Sequence, residues 1–70
     1  MRFDVYGQMI VVIEAAGDGW RAWRVGGDGK RTELRDIPFP VGLSEEAMER
    51  HLEDVFHEHG TPGRHLRRLD

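Results

Sequence analysis

Apolar residues occupy odd positions through the opening of the chain: Phe3, Val5, Met9, Val11 and Ile13, with Gly7 at the one gap. A period of two marks a strand with one face turned to a core. The unbroken parity predicts one long strand that bends or bulges at Gly7. A tight hairpin with Gly7-Gln8 as its two-residue turn, pairing Tyr6 with Met9, is the competing reading. Ile10 and Val12 add apolar side chains on the second face, as expected of a strand covered on both sides, for instance by a partner chain.

Turn chemistry divides the next twenty or so residues. Ala15-Ala16-Gly17-Asp18-Gly19 and Gly26-Gly27-Asp28-Gly29 both carry Asp-Gly, which supplies positive-φ positions. Between them Trp20 to Val25 reads as a second strand, with Trp20 and Ala22 on one face and Arg21, Trp23 and Val25 on the other. Lys30 to Leu34 reads as a third, polar strand suited to an edge. Short Gly-rich turns join neighbouring antiparallel strands, so these segments predict a meander over residues 2–35. Pro38 and Pro40 then forbid regular ladder pairing. The alternating Ile37, Phe39, Val41 and Leu43 predict a connector over residues 36–43 that seals one end of the core.

The period then changes to that of a helix. Met48, Leu52, Val55, Phe56 and His59 share one arc with His51 on its flank, while Glu46, Glu49, Arg50, Glu53, Asp54 and His57 face away. Ser44 is the natural N-cap, Glu45 and Glu46 suit the positive end of the helix dipole, and Leu43 with Met48 has the spacing of a hydrophobic staple. Gly60 suits a C-cap and Pro62 prevents continuation, so the helix is predicted over Ser44–His59. The tail over residues 61–70, with Leu66 and Leu69 among arginines, is either a fourth, edge-adding strand or a partly disordered arm. The expected architecture is one α+β domain, a three- or four-stranded antiparallel sheet with one α-helix packed across one face. Phe3, Val5, Met9, Val11, Ile13, one tryptophan, Phe39, Leu43, Met48, Leu52, Val55 and Phe56 are its expected core.

Seventy residues bury a modest core, so low stability or completion by self-association through an edge strand is expected. There is no cysteine, which excludes disulfides, thiolate nucleophiles and Cys-type zinc sites. The opening segment contains Asp4 and Gln8 and does not read as a signal peptide, and no apolar run is long enough to cross a bilayer. A cytoplasmic location without membrane attachment is the resulting expectation. The net charge of -3 is unevenly spread. Arg21, Arg24, Lys30, Arg31 and Arg35 outnumber Asp28 and Glu33, whereas the helical segment sets Arg50 against six carboxylates, and Arg64, Arg67 and Arg68 make the tail basic again.

Catalytic chemistry finds little support in this pattern. His57 and His59 point to different sides of a helix, and Asp54 with His57, three apart, lacks further ligands, so no metal site or cofactor is expected. Ser44 is absorbed as a cap, and neither Thr32 nor Thr61 has an adjacent base, so no nucleophile stands out. The Gly26–Lys30 glycines lack the spacing and the following helix of a phosphate loop. An enzyme is not expected. Trp20, Arg21, Trp23, Arg24, Lys30, Arg31 and Arg35 form the candidate binding set, since tryptophan ringed by arginine is a frequent protein-interface pattern. The same residue types can stack bases and neutralise phosphates, so single-stranded RNA or DNA is the alternative partner. Strand alternation sends Trp20 and Trp23 to opposite faces, so only one can belong to such a platform.

Phe3–Gly7, Gly19–Ala22, Asp28–Arg31, Leu52–Glu58 and the Arg67–Leu69 ending together resemble a family of short uncharacterised bacterial proteins. That resemblance implies a domain and no particular activity. Val11–Glu14 followed by Asp18–Trp23 is similar to HicB-type antitoxin domains, which implies inhibition of a small nuclease by direct binding. The Pro-Gly-Cys segment of those domains and their second helix have no counterpart in this pattern, and no DNA-binding module is expected after Leu69.

Overall fold

In the computed structural model, which describes residues 1–57 and 65–70, the alternating segments form one antiparallel sheet of five strands among those residues. They are β1 (Arg2–Val5), β2 (Met9–Ala16), β3 (Gly19–Val25), β4 (Arg31–Glu33) and β5 (Arg67–Arg68), laid out in the order β4-β3-β2-β1-β5. The α+β class stands, with more strands than the three or four expected.

The extra strand at the front comes from Gly7. The first apolar run is a hairpin, which overturns the single bent strand. Its register pairs Phe3 with Val11 and Val5 with Met9. Each pair joins two odd residues, so a reversal here keeps the same parity that a continuous strand would show. Local backbone chemistry makes the difference. Tyr6 and Gly7 take φ of 55° and 72°, the left-handed pair of a primed hairpin turn, and Gln8 N–H closes the turn onto the Val5 carbonyl at 2.9 Å. The turn therefore sits one residue before the expected Gly7-Gln8. A tyrosine with positive φ is costly, and two features offset that cost. The Tyr6 side chain is buried in the core, and the Asp4 carboxylate accepts from Gly7 N–H at 2.9 Å.

β1 lies inside the sheet because β5 pairs on its far side, Phe3 opposite Arg68 and Asp4 opposite Arg67. The tail thus supplies an edge strand. Leu69 N–H donates to the Arg2 carbonyl at 2.8 Å, Arg2 N–H donates to the Asp70 carboxylate at 2.8 Å, and Leu66 is buried just before the strand.

The α-helix α1 (Met48–Phe56) is shorter at its start than the predicted Ser44–His59. Residues 44–47 form a tighter turn, with Ala47 N–H donating to both the carbonyl and the hydroxyl of Ser44 at 3.2 Å, and Met48 N–H donating to the Glu45 carbonyl at 3.2 Å. Ser44 caps that turn, and α1 follows from it. The expected end at His59, the Gly60 cap and Pro62 lie outside the described residues. Met48, Leu52 and Phe56 are buried and Val55 is partly buried against them. A nine-residue helix is marginal alone in water, so it holds because burying each such side chain contributes about 1.5–3 kcal/mol.

The core lies between α1 and the face carrying Phe3, Val5, Val11, Ile13 and Ala22, with Tyr6, Ala22, Ile37 and Leu66 added to the expected set. Met9, Trp20, Phe39, Leu43 and Val55 pack around it half-buried. Val41 departs from the predicted connector pattern, being 99% exposed at the tip of a turn closed by Leu43 N–H and the Pro40 carbonyl.

Candidate functional site

Register decides which side chains share the face opposite α1. Directly paired residues of antiparallel strands lie on one face. β2 and β3 pair Val12 with Trp23, Ile10 with Val25 and Glu14 with Arg21; β3 and β4 pair Trp23 with Glu33 and Val25 with Arg31. β1 continues the rows with Arg2 beside Val12 and Asp4 beside Ile10. Because Phe3, Val5, Val11 and Ile13 turn to the helix, this whole set turns the other way. The result is an apolar centre of Ile10, Val12, Trp23 and Val25 inside a charged frame. Val12 is 6% exposed yet lies outside the helix-side cluster, so its cover comes from neighbours on this open face.

Trp23 is the largest group in that centre and is partly exposed. The Arg21 guanidinium lies 5.1 Å and that of Arg31 5.9 Å from its ring centroid, within the range of cation–π attraction. Both arginines are also ion-paired. Arg21 reaches Glu33 at 2.8 Å, Arg35 reaches the other oxygen of Glu33 at 3.1 Å, and Arg31 reaches Glu14 at 3.3 Å. Arg67 with Asp4 at 3.6 Å and Arg2 with Asp70 at 3.7 Å complete the frame. Exposed pairs of this kind contribute at most about 1 kcal/mol each, so they orient the guanidinium groups more than they stabilise the fold. The basic run of the sequence is thereby balanced on its own face by Glu14 and Glu33.

Of the candidate residues, the fold brings Arg21, Trp23 and Arg31 together on the open face, with Arg35 joined to them through Glu33. It separates the other three. Trp20 turns to the helix side, where its indole N–H donates to the Leu43 carbonyl at 2.8 Å. Arg24 also faces the helix side, and Lys30 sits beyond the strand in a turn closed by Asp28 and Gly26. Sequence reasoning did not gather Ile10, Val12, Val25, Glu14 and Glu33 into the same surface. Ile10 and Val12 had signalled a second apolar face, but the register that sets them beside Trp23 was not legible from parity.

Hydrogen bonding from Arg21, then from Arg35, holds the Glu33 carboxyl below the ordinary glutamate range despite opposing desolvation. A carboxyl with a lowered folded-state pKa adds stability above its unfolded value and loses it as pH falls through the folded value. Carbon-detected NMR titration should therefore show Glu33 deprotonating at lower pH than an isolated glutamate, and Arg21→Ala should move the midpoint upward. An unchanged midpoint in that variant would contradict the pairing.

Two histidines of the described residues engage the backbone. His51 Nε2 is 2.6 Å from the Pro38 carbonyl and His57 Nδ1 donates to the Asp54 carbonyl at 2.8 Å. Among the described residues no three His, Asp or Glu side chains group as metal ligands would, and no helix is long and apolar enough to cross a membrane.

A family model matches residues 1–69. The chain belongs to the DUF7661 family. That family is described as a domain of unknown function. No curated protein and no solved structure matches the chain. Within this DUF7661 domain, Trp23 stands at the middle of the charge-framed apolar strip on the sheet face opposite α1.

Proposed function

We propose that this domain is a non-catalytic protein-interaction module that docks a partner on the sheet face opposite α1. The observation that carries the reading is Trp23, half-covered between two guanidinium groups at the centre of an apolar strip with a charged rim. Tryptophan and arginine dominate binding energy at protein interfaces, and an apolar centre inside a polar rim is the usual anatomy. A protein partner with an apolar patch bordered by mixed charge fits this face. A small nuclease, inhibited in the manner implied by the antitoxin resemblance, is one partner of that kind. The sheet edges are less suited, since β4 and β5 are three and two residues long and carry arginine.

Nucleic acid is the weaker alternative. Phosphate binding draws on cations that release counterions, and the arginines of this face already hold Glu14, Glu33, Asp4 and Asp70.

Affinity capture from the source cell with the wild-type chain, Trp23→Ala and Trp20→Phe as baits tests the reading. Loss of a protein band by at least about tenfold with Trp23→Ala, and its retention with Trp20→Phe, is expected. Equal retention by a folded Trp23→Ala bait would overturn it, and salt-sensitive retention of single-stranded RNA in its place would favour the alternative.

A further inference from the structure

The helix-side face of the sheet carries a second feature, independent of the docking surface. A cleft of about 620 Å³ opens beside residues 54–56 of α1, against Met9 of β2, Arg24 of β3 and the connector at residues 34–38. Met9, Leu34, Ile37, Val55 and Phe56 give it an apolar floor, and its size falls within the range of small-molecule sites. Three charged side chains line it: Arg24 from β3, Asp36 from the connector and Asp54 from α1.

These charges differ from those elsewhere on the sheet. Arg2, Arg21, Arg31, Arg67 and Arg68 each reach a carboxylate within 4 Å, whereas Arg24 reaches none among the described residues. Asp36 and Asp54 likewise hold no cation there. A cleft with an apolar floor and an exposed rim of one cation and two carboxylates, none of them ion-paired among the described residues, disfavours a purely anionic or purely cationic guest, since either would bring a charge beside its like. It complements a guest that carries both signs beside an apolar group.

We propose that this cleft binds a free α-amino acid with an apolar side chain, its carboxylate held by Arg24, its ammonium by Asp36 and Asp54, and its side chain on the apolar floor. Charge-assisted hydrogen bonds from arginine to a carboxylate supply orientation, and the floor supplies apolar burial.

Methyl NMR of the full chain, titrated with phenylalanine, 3-phenylpropionate and phenethylamine, tests this. Phenylalanine should give saturable shifts at the Met9, Ile37 and Val55 methyls. Each analogue lacks one charged group and should bind about tenfold more weakly or worse. Arg24→Gln, a change at an exposed side chain that leaves the methyl spectrum folded, should weaken phenylalanine by a similar factor, and Asp54→Asn should do so with less effect on 3-phenylpropionate. Absence of saturable shifts at millimolar phenylalanine would overturn the proposal. So would an unchanged affinity in Arg24→Gln, or an analogue that binds as tightly as the amino acid.

Discussion

Leu52→Ala is expected to destabilise the domain by about 3–5 kcal/mol, as for other fully buried leucines. Leu52 has no exposed surface and stands between Met48 and Phe56 on the one face that joins α1 to the sheet. Truncation removes apolar contact and leaves a cavity that neighbours on a short helix close only in part. A single core of this size rarely supplies more than about 3–5 kcal/mol in total, so the variant should be largely unfolded without denaturant. Urea unfolding followed by circular dichroism checks this, with Val41→Ala as the control. Val41 is 99% exposed, and its replacement should change stability by no more than about 0.5 kcal/mol. A Leu52→Ala midpoint close to wild type would mean that the helix is not seated as described.

The second large effect concerns the tail. A chain ending at residue 64 loses the buried Leu66, the β5 pairing with β1, the Leu69-to-Arg2 hydrogen bond and the Arg68–Glu45 ion pair at 3.2 Å. Loss of Leu66 alone should cost about 2–4 kcal/mol. Removal of β5 also bares the N–H and C=O groups of β1, an unprotected edge of the kind that pairs with other chains. The truncated protein is therefore expected to unfold at much lower urea and to associate as its concentration rises. Arg67→Ala with Arg68→Ala in the full chain should cost only about 1 kcal/mol, because those pairs are exposed. If truncation and the double arginine change proved equally mild, the tail would not be an integral strand.

Much of the layout was legible because it rests on strong local signals. Glycine-rich turns bounded β3 as read, although in the first the positive φ lies at Gly17 and Gly19 already belongs to the strand, and the 3.6-residue stripe of Met48, Leu52 and Phe56 named the buried face of α1. One failure arises because parity cannot report direction. An odd-to-odd register lets a hairpin and a bent strand share one pattern, and only the positive φ of Tyr6, an unfavourable choice for tyrosine, separates them. The start of α1 was missed because Ser44 caps a tighter turn with the same donor arrangement a helix would use. Tail pairing depended on a partner strand distant in sequence, so Leu66 and Leu69 among arginines left strand and arm equally open. At the candidate surface, alternation separated Trp20 from Trp23, but the ion pairs to Glu14 and Glu33 needed cross-strand register.

The most direct test of docking through the open face is site-specific photo-crosslinking. A benzophenone side chain placed at Val25, beside Trp23 on that face, is compared with one at Glu49 on the solvent side of α1. Partner-protein adducts from position 25 that vanish when Trp23 is also replaced, with none from position 49, are the predicted result. Adducts from position 49 with none from position 25 would contradict it.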